Sequence, residues 1–326
     1  MRKVLFATTA LATVAGFSAV ASADVTISGS AQWQYTSVSD DNTTRASDSQ
    51  MNSINDVTIS FSSTTDSGIS MALSQNIGEG GVGTATTSIS ADWGTVEYSE
   101  GSGSAHAGSS YDVTAPGTSG GYGDATGITD AAGAALTNGM SVNEAVLADT
   151  ETGALNYHSP SFSGMSFGIG VSHLSTSDSD TSNSYGLKYG GAAGDISYNI
   201  GYAAYDRGDV ESTHIGFDMS MGDIKVGMGQ STNKQSDNDD AKTISYGIVY
   251  SVSDDLSLSA GLNSSENDLA AGSSDDKELD VTSIGVVYTI APGLTASLAS
   301  HSFDYKVGTS TNNDGTVTQA EIKMSF

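Results

Sequence analysis

From position 24 onward, apolar and polar residues alternate with a period of two, and the 3.6-residue period of a helix is nearly absent. In residues 24–37, Val25, Ile27, Ala31, Trp33 and Tyr35 fall on one face, and Thr26, Ser28, Ser30, Gln32 and Gln34 on the other. An extended chain turns successive side chains to opposite faces, so the pattern predicts a strand with one apolar and one polar side. Sixteen such segments can be marked, roughly 24–37, 52–62, 67–76, 84–93, 94–100, 154–159, 164–175, 182–190, 194–206, 209–220, 222–231, 241–252, 254–265, 277–290, 293–306 and 315–326. Most have about the ~9–11 residues with which a tilted strand crosses hydrocarbon. No run after position 23 reaches the ~18 consecutive apolar residues of a membrane-crossing helix.

Alternation alone fits both a soluble sandwich and a membrane barrel, and the connections separate them. Short ones recur at Thr64–Gly68, Trp93-Gly94, Ser159–Gly164, Gly190–Gly194, Met221–Asp223, Ser253–Asp255 and Ala291–Gly293, each built from turn-forming residues. Longer polar stretches lie between them, at 38–51, 76–84, 231–240, 266–277 and 306–315, with 207–209 as the one short exception. Short turns at one end and long loops at the other describe an up-and-down outer-membrane barrel. Closure matters because lipid leaves open strand edges unsatisfied. The expected fold class is therefore all-β, a 16-stranded antiparallel transmembrane barrel with lipid on its apolar face and a polar lumen. Tyr35, Tyr98, Tyr157, Tyr189, Tyr202, Tyr250 and Tyr288, near strand ends on the apolar parity, supply an aromatic belt.

The two termini carry their own signals. Arg2 and Lys3, the mostly apolar Val4–Ala15 and the Ala21-Ser22-Ala23 site read as a secretory signal peptide. The expected organisation is a signal peptide at 1–23 and a barrel at 24–326. In the last strand Ile322, Met324 and Phe326 alternate with Glu321, Lys323 and Ser325. The terminal Phe326 resembles the assembly signal of outer-membrane proteins. Expected partners are thus the outer-membrane assembly machinery, outer-membrane lipid and lipopolysaccharide.

The absence of cysteine excludes disulfides and thiolate metal sites. Without Arg2 and Lys3, 9 basic residues face 38 acidic ones, a net charge of −29. Such a chain excludes ordinary nucleic-acid binding and attracts cations. The longest connection, 101–153, holds no Lys or Arg but carries Asp112, Asp124, Asp130, Glu144, Asp149 and Glu151. Carboxylates gathered at a narrow point draw cations in and turn anions away. Cations on the polar parity are few, namely Lys188, Lys225 and Lys323, with Arg207 near a rim. His106, His158, His173, His214 and His301 lie on separate segments without metal-ligand spacing. Gly120–Asp124 has the glycines of a calcium repeat but not its spacing, and reads as loop. Acidic runs at Asp237–Asp240 and Asp275-Asp276 suit loosely held Ca²⁺ or Mg²⁺, which could bridge to lipopolysaccharide phosphates. No other cofactor is implied. No nucleophile elbow, phosphate loop or dinucleotide fingerprint occurs, so a non-enzymatic role is expected.

Three stretches carry a family resemblance: Thr64–Gly68 followed by an alternating strand, Gly94-Thr95-Val96-Glu97-Tyr98, and the Phe-terminated last strand. In these, and in strand and loop order over the mature chain, the sequence resembles the alphaproteobacterial general porins known from purple bacteria. The resemblance implies a homotrimer of 16-stranded barrels, each with its third extracellular loop, here 101–153, folded inward as a constriction. Porins of this kind carry a basic cluster on the opposite wall, whereas Gln32, Gln34, Ile54 and Asp56 stand there in this chain. The expected function is passive diffusion of small hydrophilic solutes with a preference for cations. A substrate-specific channel would need an aromatic track, and aromatics on the lumen parity look rare. A non-conducting barrel serving as adhesin or phage receptor would use the third loop as a plug. A soluble, calcium-loaded secreted β-protein fits neither the loop asymmetry nor Phe326.

Overall fold

The computed structural model describes residues 24–40, 49–78, 81–105, 107–117, 150–173, 181–234, 240–268, 276–308 and 310–326. Each alternating segment forms a strand: β1 Asp24–Asp40, β2 Ser49–Thr64, β3 Ser70–Gly78, β4 Gly81–Ala91, β5 Gly94–Ala105, β6 Thr150–His158, β7 Met165–His173, β8 Thr181–Ala193, β9 Ile196–Arg207, β10 Val210–Met221, β11 Ile224–Lys234, β12 Asp240–Ser251, β13 Leu256–Asp268, β14 Lys277–Ala291, β15 Leu294–Val307 and β16 Ser310–Ser325. All pair antiparallel with their sequence neighbours, and β1 pairs with β16, so the sheet closes. At the seam Gly29 and Phe326 exchange two backbone hydrogen bonds of 2.9 and 3.0 Å. Phe326 thus completes the ladder, and its ring lies over Gly29, where a Cβ would sit 2.9 Å from the ring edge.

The two faces of the sheet have opposite chemistry. On one face Ser182, Ser184, His214, Asn263, Gln32 and Gln34 are buried. On the other, strand after strand presents large apolar side chains to the outside, Ile27 at 64% and Ile284 at 60% exposure among them. In water such a surface far exceeds the few hundred Å² that soluble proteins tolerate. A bilayer removes the penalty, and strands of 9 to 17 residues are long enough to cross it. Among the described residues no helix is long and apolar enough to do so. The expected belt tyrosines lie on this outer face, with Tyr35, Tyr98, Tyr202, Tyr250 and Tyr288 exposed.

The turns at the end that holds Phe326 are the seven short ones. Two-residue hairpins favour positive φ, and Gly222 takes φ 56° between β10 and β11. At the opposite end the expected longer connections at 76–84 and 306–315 are corrected: β3 runs to Gly78 and β4 starts at Gly81, and β15 runs to Val307 and β16 starts at Ser310, so strand pairing leaves two residues at each, as at 208–209. The pattern-based boundaries also fall short around the longest connection. β5 continues to Ala105 and β6 begins at Thr150, pairing Ser104 with Glu151 across a register shift. Glu151 is therefore a strand residue, not part of the connection, which spans 106–149. Gly101-Ser102-Gly103-Ser104 has the composition of a loop; 101–103 fall in the register shift, and pairing with β6 resumes at Ser104 and Ala105.

Candidate functional site

A closed ring of sixteen strands encloses a lumen wide enough for water. The inner wall is not bare. Residues 107–117, which follow β5, lie along it. The Ala107 amide donates to Asn156 Oδ1 at 2.9 Å and the Gly108 amide to Ser184 Oγ at 2.7 Å. A 3-10 turn, Ser109–Tyr111, then sets the Tyr111 hydroxyl to donate to the Phe167 carbonyl at 2.6 Å. Its oxygen is left to accept from His158 Nδ1 at 3.3 Å, and the two rings stack with centroids 5.8 Å apart. Beyond the turn His214 Nε2 meets the Val113 carbonyl at 3.1 Å. A carbonyl only accepts, so Nε2 carries the proton. Tyr111, Val113 and Ala115 are buried against the wall. Asp112 and Thr114, between them, are half-buried, with Asp112 Oδ1 itself shielded from solvent. Burial, with a smaller contribution from the neighbouring Tyr157, pushes the Tyr111 phenol up to about 12.

The sequence-predicted acidic residues are only partly placed. Asp112 caps the 3-10 turn, its amide donating to the Ser109 carbonyl at 3.2 Å. Asp124, Asp130, Glu144 and Asp149 lie outside the described residues, as do Gly120–Gly123, His106, Asp237 and Asp275. Lys188, Lys225 and Lys323 take inward positions on β8, β11 and β16. Lys225 is not an isolated positive charge, because it pairs with the inward Asp218 at 3.3 Å. Asn199 Nδ2 holds the same carboxylate at 2.9 Å. On β1 and β2 the inward positions belong to Gln32, Gln34, Ile54 and Asp56, and Gln32 donates to Glu321 at 2.6 Å. That part of the wall carries carboxylates and amides without a basic cluster. His214 and His301 are buried singly, and among the described residues no group of three or more His, Cys, Asp or Glu could hold a metal.

Two features escaped the sequence pattern. Val38, Leu279, Val281, Phe303, Tyr305 and Val317 form an apolar cluster on the inner face of β1 and β14–β16. Apolar residues on the polar parity at 279–281 and 303–305 were its only trace. Inward aromatics are thus less rare than the alternation implied, with Tyr205, Phe303 and Tyr305 all facing in. They are 5%, 4% and 1% exposed, too buried to offer a track to a passing solute. The second feature is the glycines beneath residues 107–117, where Gly168 and Gly186 leave the space that the Tyr111 ring fills.

The family described as Gram-negative porin matches residues 7–314 of this chain. The chain belongs to the Gram-negative porin family. Its place is accordingly the outer membrane, where its barrel forms a channel. The porin's fold is similar to those of several solved barrels. OmpT of Vibrio cholerae superposes with a TM-score of 0.67 at 13% identity, over 95% of this chain and 99% of that one. The anion-selective porin from Comamonas acidovorans gives 0.61 at 18% identity, over 94% and 100%. A mutant of the Rh. blastica porin gives 0.64 at 17% identity, over 93% and 100%. At these identities the likeness speaks for the fold alone. No curated protein matches the chain.

Proposed function

We propose that this porin is a cation-preferring pore for passive diffusion of small hydrophilic solutes, and that the connection between β5 and β6 forms its constriction. The observation that carries the proposal is the course of residues 107–117, which lie on the lumen wall and not above the barrel. A connection that enters the lumen narrows it, and this one carries Asp112, Asp124, Asp130, Glu144 and Asp149 without a single Lys or Arg. The facing arc of β1 and β2 contributes Gln32, Gln34 and Asp56, and Lys225 is offset by Asp218. The summed field of wall and connection favours cations. The Comamonas porin of similar fold is anion-selective, so side chains and not the barrel decide the sign. Diffusion down a gradient calls for no catalysis.

Replacing Asp112, Asp124 and Asp130 by Asn and Glu144 by Gln is expected to lower the cation-over-anion permeability ratio severalfold in planar bilayers. An unchanged ratio removes the acidic connection from the account.

The trimer belongs to the same proposal. Ser53 and Asn55 of β2, Gln75 of β3 and Ala85 and Thr87 of β4 turn outward, on the parity where β12 and β13 present Tyr246, Ile248, Leu258 and Leu262. A small, polar outer patch suits contact with a second barrel better than contact with lipid. A solved form of the Vibrio cholerae OmpT is itself described as a trimer. Residues 1–23 serve as export signal and Phe326 as assembly signal. The purple-bacterial kinship rests on the three quoted stretches. Divalent bridging from the acidic loops to lipopolysaccharide predicts that chelation lowers thermal stability or strips bound lipid, and no change in either discards the bridge.

A further inference from the structure

Seven consecutive strands place a glycine on the inner face: Gly168 on β7, Gly186 on β8, Gly201 on β9, Gly216 on β10, Gly227 on β11, Gly247 on β12 and Gly261 on β13. The pairing makes them neighbours. Gly168 stands opposite Gly186, Gly201 opposite Gly216, and Gly227 opposite Gly247, which faces Gly261. Residues 107–117 run over this band. A Cβ at Gly168 or Gly186 would overlap the Tyr111 ring. At Gly201 it would overlap the Tyr111 carbonyl and Val113, and at Gly216 the Val113 carbonyl. At Gly227 it would stand 2.8 Å from Pro116 Cδ. Gly117 in turn lies so close to β12 and β13 that its own Cβ would come 2.8 Å from Ser259 Cβ.

The path length agrees. From β6, where Ala107 is held, to β12 is six strand spacings, roughly 29 Å at ~4.8 Å each. Ten residues of extended chain reach roughly 33 Å, and a 3-10 turn shortens that. The segment is therefore drawn nearly straight across the wall, one strand for every one to two residues. Glycine costs strand stability, so seven on one face of consecutive strands ask for a reason, and at five of them, Gly168, Gly186, Gly201, Gly216 and Gly227, it is the close approach of residues 107–117.

We infer that this glycine band is a seat for residues 107–117, and that its glycines, Gly168, Gly186 and Gly216 foremost, act as positioning residues which hold the connection against the wall and so set the open width of the pore. The inference deepens the constriction reading and rests on it for its effect on conduction. The seat itself stands on packing. Side chains at the band would lift the segment by the thickness of a methyl group along its course, and the lumen would narrow by that amount.

The test pairs two readouts on the refolded, heat-modifiable barrel. Chymotrypsin cuts after tyrosine in accessible, mobile chain. Wild-type protein should resist cleavage after Tyr111, and Gly168→Ala should be cut there. The same variant should change single-channel conductance by about twofold or more. The three atoms nearest a Cβ at Gly168 are all at the tip of the Tyr111 ring, Cε2, Cζ and the hydroxyl oxygen. Tyr111→Leu has no atoms there, so Gly168→Ala should have no further effect in that background. If Gly168→Ala fails to form the heat-modifiable barrel, Gly186→Ala with and without Tyr111→Gly repeats the cycle, because the three atoms nearest a Cβ at Gly186 are Cδ2, Cγ and Cβ of Tyr111. Unchanged cleavage overturns the seat. Changed cleavage with unchanged conductance overturns its control of the pore. Changed cleavage in a barrel that never conducts keeps the seat and removes the channel reading instead.

Discussion

Tyr111 concentrates the energetics of the inner wall in one side chain. Its hydroxyl donates to a strand carbonyl, its ring stacks on His158, and its body fills the space that two glycines leave. Tyr111→Phe keeps the ring and removes the hydrogen bond, which is worth about 1 kcal/mol. Burial favours the neutral phenol in the folded protein and raises its pKa from 10.0 to about 12. The folded state therefore holds on to a proton that the unfolded chain gives up. The contribution is fully present below pH 10 and is lost as pH rises through about 12. Alkaline difference spectra of wild type and Tyr111→Phe should assign to Tyr111 a tyrosinate that appears near pH 12, and ionisation together with the exposed tyrosines would contradict the packing. Lys225 gives a second test. Its removal in Lys225→Met frees Asp218, so the reversal potential should move further toward cation preference. An unchanged potential would show that neither Lys225 nor Asp218 acts on the permeating ions. Parity put Lys225 in the lumen from sequence alone. It could not supply the Asp218 partner, because a neighbour across two strands depends on their register.

At the scale of the strands, the turns were the most legible part of the chain. Glycine, aspartate and proline punctuate every short connection, and the sixteen strands fall where alternation put them. The end of β5 and the starts of β6 and β16 were not legible: Gly101–Ser104 reads as loop by composition, yet β5 resumes pairing at Ser104 after a register shift, and β16 begins at Ser310. The seam joins the two sequence ends, the most distant pairing in the fold. Its closure depends on a glycine, because a Cβ at Gly29 would sit 2.6 Å from the Asp56 carbonyl oxygen. Gly29→Val should cost about 1–3 kcal/mol, as other overpacked sites do. The readout is the temperature at which the barrel loses its compact electrophoretic mobility, which should fall. An unchanged temperature would mean that the seam relaxes without strain.

For the whole molecule, the inside-out polarity was legible because it needs only the period of two and the membrane as solvent. What fills the lumen was not. The glycine band and the apolar cluster of β1 and β14–β16 arise where several strands share an inner face, and each strand alone shows only a glycine or one or two apolar residues on the polar parity. The central claim is a water-filled, acidic pore. The measurement that tests it most directly is the reversal potential of the refolded 24–326 barrel across a planar bilayer in a KCl gradient. The account predicts stepwise conductance with a potential of the sign that potassium sets, weakening as salt screens the carboxylates. Heat-modifiable, folded protein that passes no current, or a potential of the sign that chloride sets, would contradict it.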